Sequence, residues 1–174
     1  RSSDLRLSLV FSTIWFVLFS CASDPTTGYS SSSLYAKQYK SVAIPMFQNN
    51  TMNRNLEFML TDALVKEVQT RTPYQIIGEQ YADSILIGTI KSVDLNVLSN
   101  SRTTTLANEM LIKVVIDFEW QNLQTGRRIV GRDNFSSSAL FIPSQPSSEP
   151  IEMGQFAVTQ QLASDIVDQM QATW

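Results

Sequence analysis

LANEMLIKVVIDFEWQNLQTGRRIVGRDNFSSSALF, residues 106 to 141, carries the clearest structural signal in the chain. Leu106 opens it, and Met110, Ile112, Val114, Ile116, Phe118 and Trp120 continue on one side at every second position. Glu109, Lys113, Asp117 and Glu119 fall on the other. A period of two is that of an extended chain, whose side chains alternate between faces, so the segment reads as a strand with one buried and one wet face. LQTGRR, 123 to 128, supplies a hairpin turn centred on Thr125-Gly126, because glycine accepts the positive φ such a turn needs. Residues 128 to 141 then return as the partner strand.

Outward from this hairpin the other elements follow. Upstream, Ile85, Ile87, Val93, Leu95 and Val97 alternate within a strand or pair of strands from Asp83 to Leu98, and NSRTTT, 100 to 105, reads as a polar turn. SVAIPMF, 41 to 47, is a short strand in which Pro45 lacks the ladder donor and so predicts an edge or a bulge. QNNTMN, 48 to 53, offers loop and cap residues. From 53 to 71 the period becomes helical: Leu56, Met59, Leu60, Ala63, Leu64 and Val68 form one stripe. Arg71 suits the negative end of the helix dipole and Pro73 stops the run. YQIIGE, 74 to 79, is a further short extended piece. The prolines of IPSQPSSEP, 142 to 150, break the pattern before a last helix over 151 to 171, with Phe156, Leu162, Ala163, Ile166, Val167 and Met170 apolar on one side. Two amphipathic helices and a sheet with one apolar face have one economical solution. Both helices pack on that face, giving an α+β two-layer sandwich over a mostly antiparallel four- to five-stranded sheet.

Composition narrows the chemistry. Of 174 residues, 43% are hydrophobic and 17% charged, with 13 Lys plus Arg against 16 Asp plus Glu, a net charge of −3. That balance argues against nucleic acid as a partner. There is no histidine, and Cys21 is the sole cysteine. Ser-His-Asp and Cys-His catalysis, His- or Cys-ligated zinc and an intrachain disulfide are therefore ruled out. The expectation is a protein that is not an enzyme, with no metal and no cofactor. Asp117 and Glu119 share a strand face, but alternating charge on a solvated sheet explains them without catalysis. Ser136, Ser137 and Ser138 have no base beside them in sequence and read as a strand end.

The N-terminus speaks to location. Arg1 and Arg6 precede LSLVFSTIWFVLF, 7 to 19, an uncharged run whose length suits a signal peptide better than a membrane span. Residues 1 to 20 read as that peptide. LFSC, Leu18 to Cys21, resembles the bacterial lipobox, although Phe19 stands where a small residue is usual. The resemblance implies lipidation of Cys21 and, with Ala22 following, an address at the periplasmic face of the outer membrane. An ordinary cleaved signal or an uncleaved anchor are the competing readings. Acyl chains bury at roughly 0.8 kcal/mol per CH₂, so two or more anchor durably. Residues 21 to 40, with SDPTTGYSSSS, then form a flexible tether, and 41 to 174 a single domain.

Around the hairpin stands a set of cations: Arg127, Arg128 and Arg132, with Lys113 across the ladder and Lys91 and Arg102 nearby. Guanidinium forks match phosphate oxygens, so the set could hold a phosphorylated lipid head group. Ordinary solubility charge, paired with Asp133 and Glu119, accounts for it more simply.

Four blocks together resemble the LptE-type lipopolysaccharide-assembly lipoproteins: GYSSSSLY (28 to 35), VAIPMFQNNTMNRNLEFMLTDALVKEVQTRTPYQII (42 to 77), ADSILIGTIKSV (82 to 93) and FEWQNLQTGRRIVGRDNF (118 to 135). In that family Gly-Tyr commonly follows the lipidated cysteine directly, whereas here Ala22 to Gly28 intervene. The resemblance implies a lipoprotein that plugs a large outer-membrane β-barrel of the LptD kind, helps it assemble and passes lipopolysaccharide to the outer leaflet. It implies contact between basic residues and lipid phosphates but transfers no individual position. VAIPMFQNNT also resembles the opening of outer-membrane lipoproteins that regulate a periplasmic cell-wall synthase or form part of a secretion pore, which is the alternative reading.

Overall fold

The protein is described from a computed structural model, in which residues 34–100, 107–143 and 149–171 are placed. Nine elements follow in chain order: β1 (Ser41–Ala43), β2 (Gln48–Asn49), α1 (Leu56–Arg71), β3 (Gln75–Ile76), a 3₁₀ turn (Glu79–Tyr81), β4 (Ser84–Asn100), β5 (Ala107–Asn122), β6 (Arg128–Phe141) and α2 (Ile151–Gln169). The sheet order is β3-β1-β4-β5-β6, with β2 also on β4. The long strands β4, β5 and β6 form an antiparallel meander. The three short strands pair parallel. The α+β class and the placement of both helices on the apolar face are as expected.

Local sequence explains the departures. The first strand is not at an edge, since β1 lies between β3 and β4. It ends at Ala43, two residues short of Pro45, so the proline sits in the link to β2 and removes no ladder bond. In β4 the expected single alternation is broken by a bulge at Lys91. One extra residue reverses the faces: Leu86, Gly88 and Ile90 face the helices opposite Trp120, Phe118 and Ile116, and after the bulge Val93, Leu95 and Val97 take over opposite Val114, Ile112 and Met110. Ile85 and Ile87 consequently belong to the open face, opposite Gln121 and Glu119. Leu106 lies outside the described residues. The expected stripe of α1 is buried apart from half-buried Met59. On α2 the buried positions are Gly154, Val158, Thr159, Leu162, Ala163, Ile166 and Val167. Phe156, expected among them, is 54% exposed because it falls on the far side of the helix from Gly154.

Two glycines allow the layers to close. A Cβ on Gly88 would stand 2.2 Å from the Phe47 ring, and one on Gly154 would stand 2.7 Å from the Phe141 ring. At the other end Trp120 is fully buried with Tyr39 and Tyr74 at ring-centroid distances of 5.4 and 5.7 Å. Burial pushes the Tyr74 phenol up to about 12. Tyr35 is buried as well and bridges to Gln171. Asp83 fastens β1 to the start of β4: its Oδ2 accepts from Lys40 N, Ser41 N and Ser41 Oγ at 3.0, 3.1 and 2.9 Å. The helices are tied by Arg71, whose guanidinium donates to Ser164 Oγ at 2.8 Å and to Asp168.

Candidate functional site

The face of the sheet away from the helices is polar because the odd-numbered residues of β5 point there, and two charged rows cross it. In the first, Lys91 at the β4 bulge places Nζ 3.1 Å from Asp117 Oδ2 and 3.1 Å from Asn134 Oδ1. Asp117 Oδ1 in turn accepts from Asn134 N at 2.7 Å. Asn134 has φ 54°, a left-handed value that asparagine tolerates, and it marks the bulge in β6. One carboxylate therefore pins the irregularities of both neighbouring strands. The Asn134 N–H, followed by Lys91, holds Asp117 below the usual carboxylate range.

The second row lies nearer the hairpin. Arg128 Nε is 2.8 Å from Glu119 Oε1 and Nη2 donates to Oε2 at 3.0 Å, a two-pronged contact. Gly131 stands directly opposite Glu119, and a Cβ there would be 2.8 Å from Arg128 Nε. The missing side chain is what lets the arginine lie across the strand. Arg128 lowers the Glu119 carboxyl and is itself raised by it.

Two recesses flank these rows. One, of about 440 Å³, is lined by Met46, Ile87, Thr89, Asp117, Glu119 and Arg128 among others. The other, of about 350 Å³, lies at the hairpin end between Gln38, Tyr39, Asn122, Thr125, Arg127 and Arg128. The turn behind it is rigid. Asn122 Oδ1 accepts from Gln124 N and Thr125 N at 2.8 and 3.0 Å, and Gly126 has φ 65°.

The five candidate cations among the described residues do not form one cluster. Lys91 and Arg128 are engaged by Asp117 and Glu119. Lys113 lies exposed mid-strand between Asp94 and Ser138 in the ladders, with no carboxylate in ion-pairing distance among the described residues. A separate irregularity of β6 at Ile129 turns Arg132 to the helix side, opposite Phe118, where it donates to Gly131 O at 3.2 Å. Arg127 lines the second recess without an ion pair among the described residues. Arg102 and Cys21 lie outside the described residues. The sequence did not single out Gly131, Gln38 or Tyr39, and it marked Asn134 only as part of the glycosylation pattern Asn134-Phe135-Ser136; the paired register reveals their roles. Asp117 and Glu119 brace strands, and Ser136 to Ser138 sit within β6 rather than at its end. Among the described residues no group of three acidic or cysteine side chains could hold a metal, and no helix is long and apolar enough to cross a membrane.

Fold and site define a class of small α+β domain: a long antiparallel meander, both helices on one face, and an ion-paired polar face left bare. Solved structures of the same fold include a Xanthomonas campestris protein (TM-score 0.57, 8% identity, covering 76% of this chain and 84% of that one). Another is PelC from Paraburkholderia phytofirmans, solved as a dodecamer (TM-score 0.53, 14% identity, 82% and 96%). Lipoprotein B of Nitrosomonas europaea is similar at TM-score 0.50 and 13% identity, over 77% of this chain and 83% of that one. At these identities the likeness is one of fold. No protein of curated function matches the sequence. The sequence model of the LptE lipopolysaccharide-assembly family matches residues 39–173, and the chain belongs to that family.

Proposed function

We propose that the protein is a non-enzymatic lipoprotein of the outer membrane, anchored through lipid on Cys21, that plugs and helps assemble a large β-barrel and assists delivery of lipopolysaccharide to the outer leaflet. Family membership supports the lipopolysaccharide half of this reading. The observation that carries the rest is the polar open face with its hairpin-end recess, where Arg127 has no carboxylate partner among the described residues. A cation already neutralised by a carboxylate gains less from a phosphate than one still solvated, because the old pair must break first. Lys113, Arg127 and Arg132 are therefore the first candidates for lipid phosphates. Lys91 and Arg128 hold the face in shape, and Arg102 completes the set to be tested.

The test is purification from envelope membranes in mild detergent, with bound species identified by mass spectrometry. A large β-barrel and stoichiometric lipopolysaccharide should remain bound, and Arg127→Glu or Lys113→Glu should reduce the lipid while the barrel stays. Recovery of a cell-wall synthase, or of a self-assembled ring without barrel or lipid, would overturn the reading. Cys21→Ser should remove the acyl mass from the purified protein, as intact-mass spectrometry would show.

A further inference from the structure

The outer edge of β4 is occupied for only part of its length. β1 pairs at Ser84 and Ile85 and β2 at Thr89 and Ile90, where Asn50 N donates to Ile90 O at 3.0 Å. There the pairing stops. From Lys91 to Asn100 no other strand of the described residues lies along that edge, although β4 stays extended and paired to β5 on its inner side. Ile90 presents its carbonyl outward. Alternation, allowing for the bulge at Lys91, then turns the backbone N–H and C=O of Val93, Leu95 and Val97 outward too. The same three side chains face the helix side: Val93 is half-buried against the core, while Leu95 and Val97 lie beyond cover at 43% and 51% exposed.

Edge strands are usually guarded by lysine, proline or a bulge. Beyond Lys91, itself drawn inward by Asp117, residues 92 to 97 read SVDLNV and contain no lysine, proline or bulge; the next irregularity comes only at Leu98. The other free edge differs: β6 carries Arg128, Arg132 and the Asn134 bulge. The pattern of β4 is also symmetric. Val93-Asp94-Leu95-Asn96-Val97 reads apolar, polar, apolar, polar, apolar from either end, centred on Leu95.

We propose that this edge binds a second copy of the chain, β4 against β4 in antiparallel pairing about a two-fold axis at Leu95. Val93 then faces the partner's Val97 and Asp94 faces its Asn96, within the regular stretch between the bulges at Lys91 and Leu98. No like charges meet, and the apolar residues share one side. Leu95 opposes itself as a hydrogen-bonded pair, and the three outward residues of each copy exchange about six backbone hydrogen bonds. The two sheets become one, with both helix layers on the same side, and the exposed leucine and valines are covered in the gap between them. The pairing is isologous and closes at two copies. It does not rest on the lipopolysaccharide reading.

The full chain in mild detergent, free of other proteins, should show a protein mass of two chains by light scattering at about 100 µM. Leu95→Lys should give one chain with an unchanged circular dichroism melt. In a Cys21→Ser background, where an introduced thiol is alone, Leu95→Cys should oxidise to a covalent dimer. Opposed hydrogen-bonded residues have Cα atoms about 5.5 Å apart, within disulfide reach. Ser138→Cys on β6 should not crosslink. A single-chain mass for the unmodified protein with no Leu95→Cys crosslink would overturn the proposal. So would a two-chain mass that survives Leu95→Lys, or crosslinking through Ser138→Cys instead.

Discussion

Replacing Gly88 by alanine tests the packing that closes the sandwich. Gly88 pairs with Phe118 on the helix side of β4, and Phe47, 2% exposed, lies over it. The added methyl would meet Phe47 Cε1 at 2.2 Å and the Asp117 carbonyl oxygen at 2.8 Å. The first contact is with a ring that can tilt; the second is with backbone of the neighbouring strand. Overpacking of this kind costs about 1–3 kcal/mol, against which the loss of glycine's backbone freedom returns roughly 0.5–1 kcal/mol. Gly88→Ala should therefore destabilise by about 1–2 kcal/mol. Phe47→Ala leaves a void and should cost about 3–5 kcal/mol. Together the two should cost less than their separate effects, because the new methyl occupies space the ring has left. A coupling of at least about 1 kcal/mol is expected, beyond the roughly 0.3–0.5 kcal/mol scatter of independent sites. Urea unfolding of the four proteins, followed by circular dichroism, supplies the cycle. Additive effects, or a stabilising Gly88→Ala in the presence of Phe47, would refute the account of the glycine as the seat of the ring.

Acid should loosen the start of the sheet. Hydrogen bonds from Lys40 N and then Ser41 keep the Asp83 carboxyl below its ordinary range. Its contribution is present above the unfolded value of about 3.9 and is lost as pH falls through the lower folded value, so Asp83→Asn should melt earlier at pH 7 and show a smaller drop between pH 5 and pH 2. Gly126→Ala, at φ 65°, should cost about 1–2 kcal/mol in thermal melts with little change in the far-ultraviolet spectrum. Arg71→Met should cost only about 0.5–1 kcal/mol, since both members of the Arg71–Asp168 pair tying the helices are a third or more open to solvent, and 1 M salt should erase most of the difference.

Hydrophobic period was enough to read the long elements. β5 alternates without interruption from Met110 to Trp120, and every even position there is buried or half-buried. The Gly126 turn then fixed the direction of β6. What period cannot register is a single extra residue. The bulges at Lys91 and Asn134 each reverse a strand's faces, and each depends on Asp117 in a third strand, tens of residues away in sequence. Hence Ile85 and Ile87 share a parity with Leu95 but not a face, and a further irregularity at Ile129 separates Arg132 from Arg128 in the same way. Phe156 misled for another reason: a helix stripe can contain one apolar residue too many, and Gly154, the least hydrophobic candidate, is the position that touches the sheet.

The same logic governs the charged face. Composition lists the cations and carboxylates but not who meets whom, and in this protein the meeting changes the meaning of each residue. Lys91 and Arg128 are equivalent to Arg127 in sequence; in the folded sheet their side chains reach Asp117 and Glu119, while Arg127 is left beside a recess. Gly131 decides the second pair by absence, since any side chain there would lift the guanidinium off Glu119. A face built this way separates two duties along one sheet. Carboxylates on β5 spend two cations on holding bulged neighbours in place, so the sheet keeps its shape while solvated cations remain for a partner. Charge reversal at the braced positions should therefore lower stability and lipid retention together, whereas reversal at Arg127 should lower lipid retention alone.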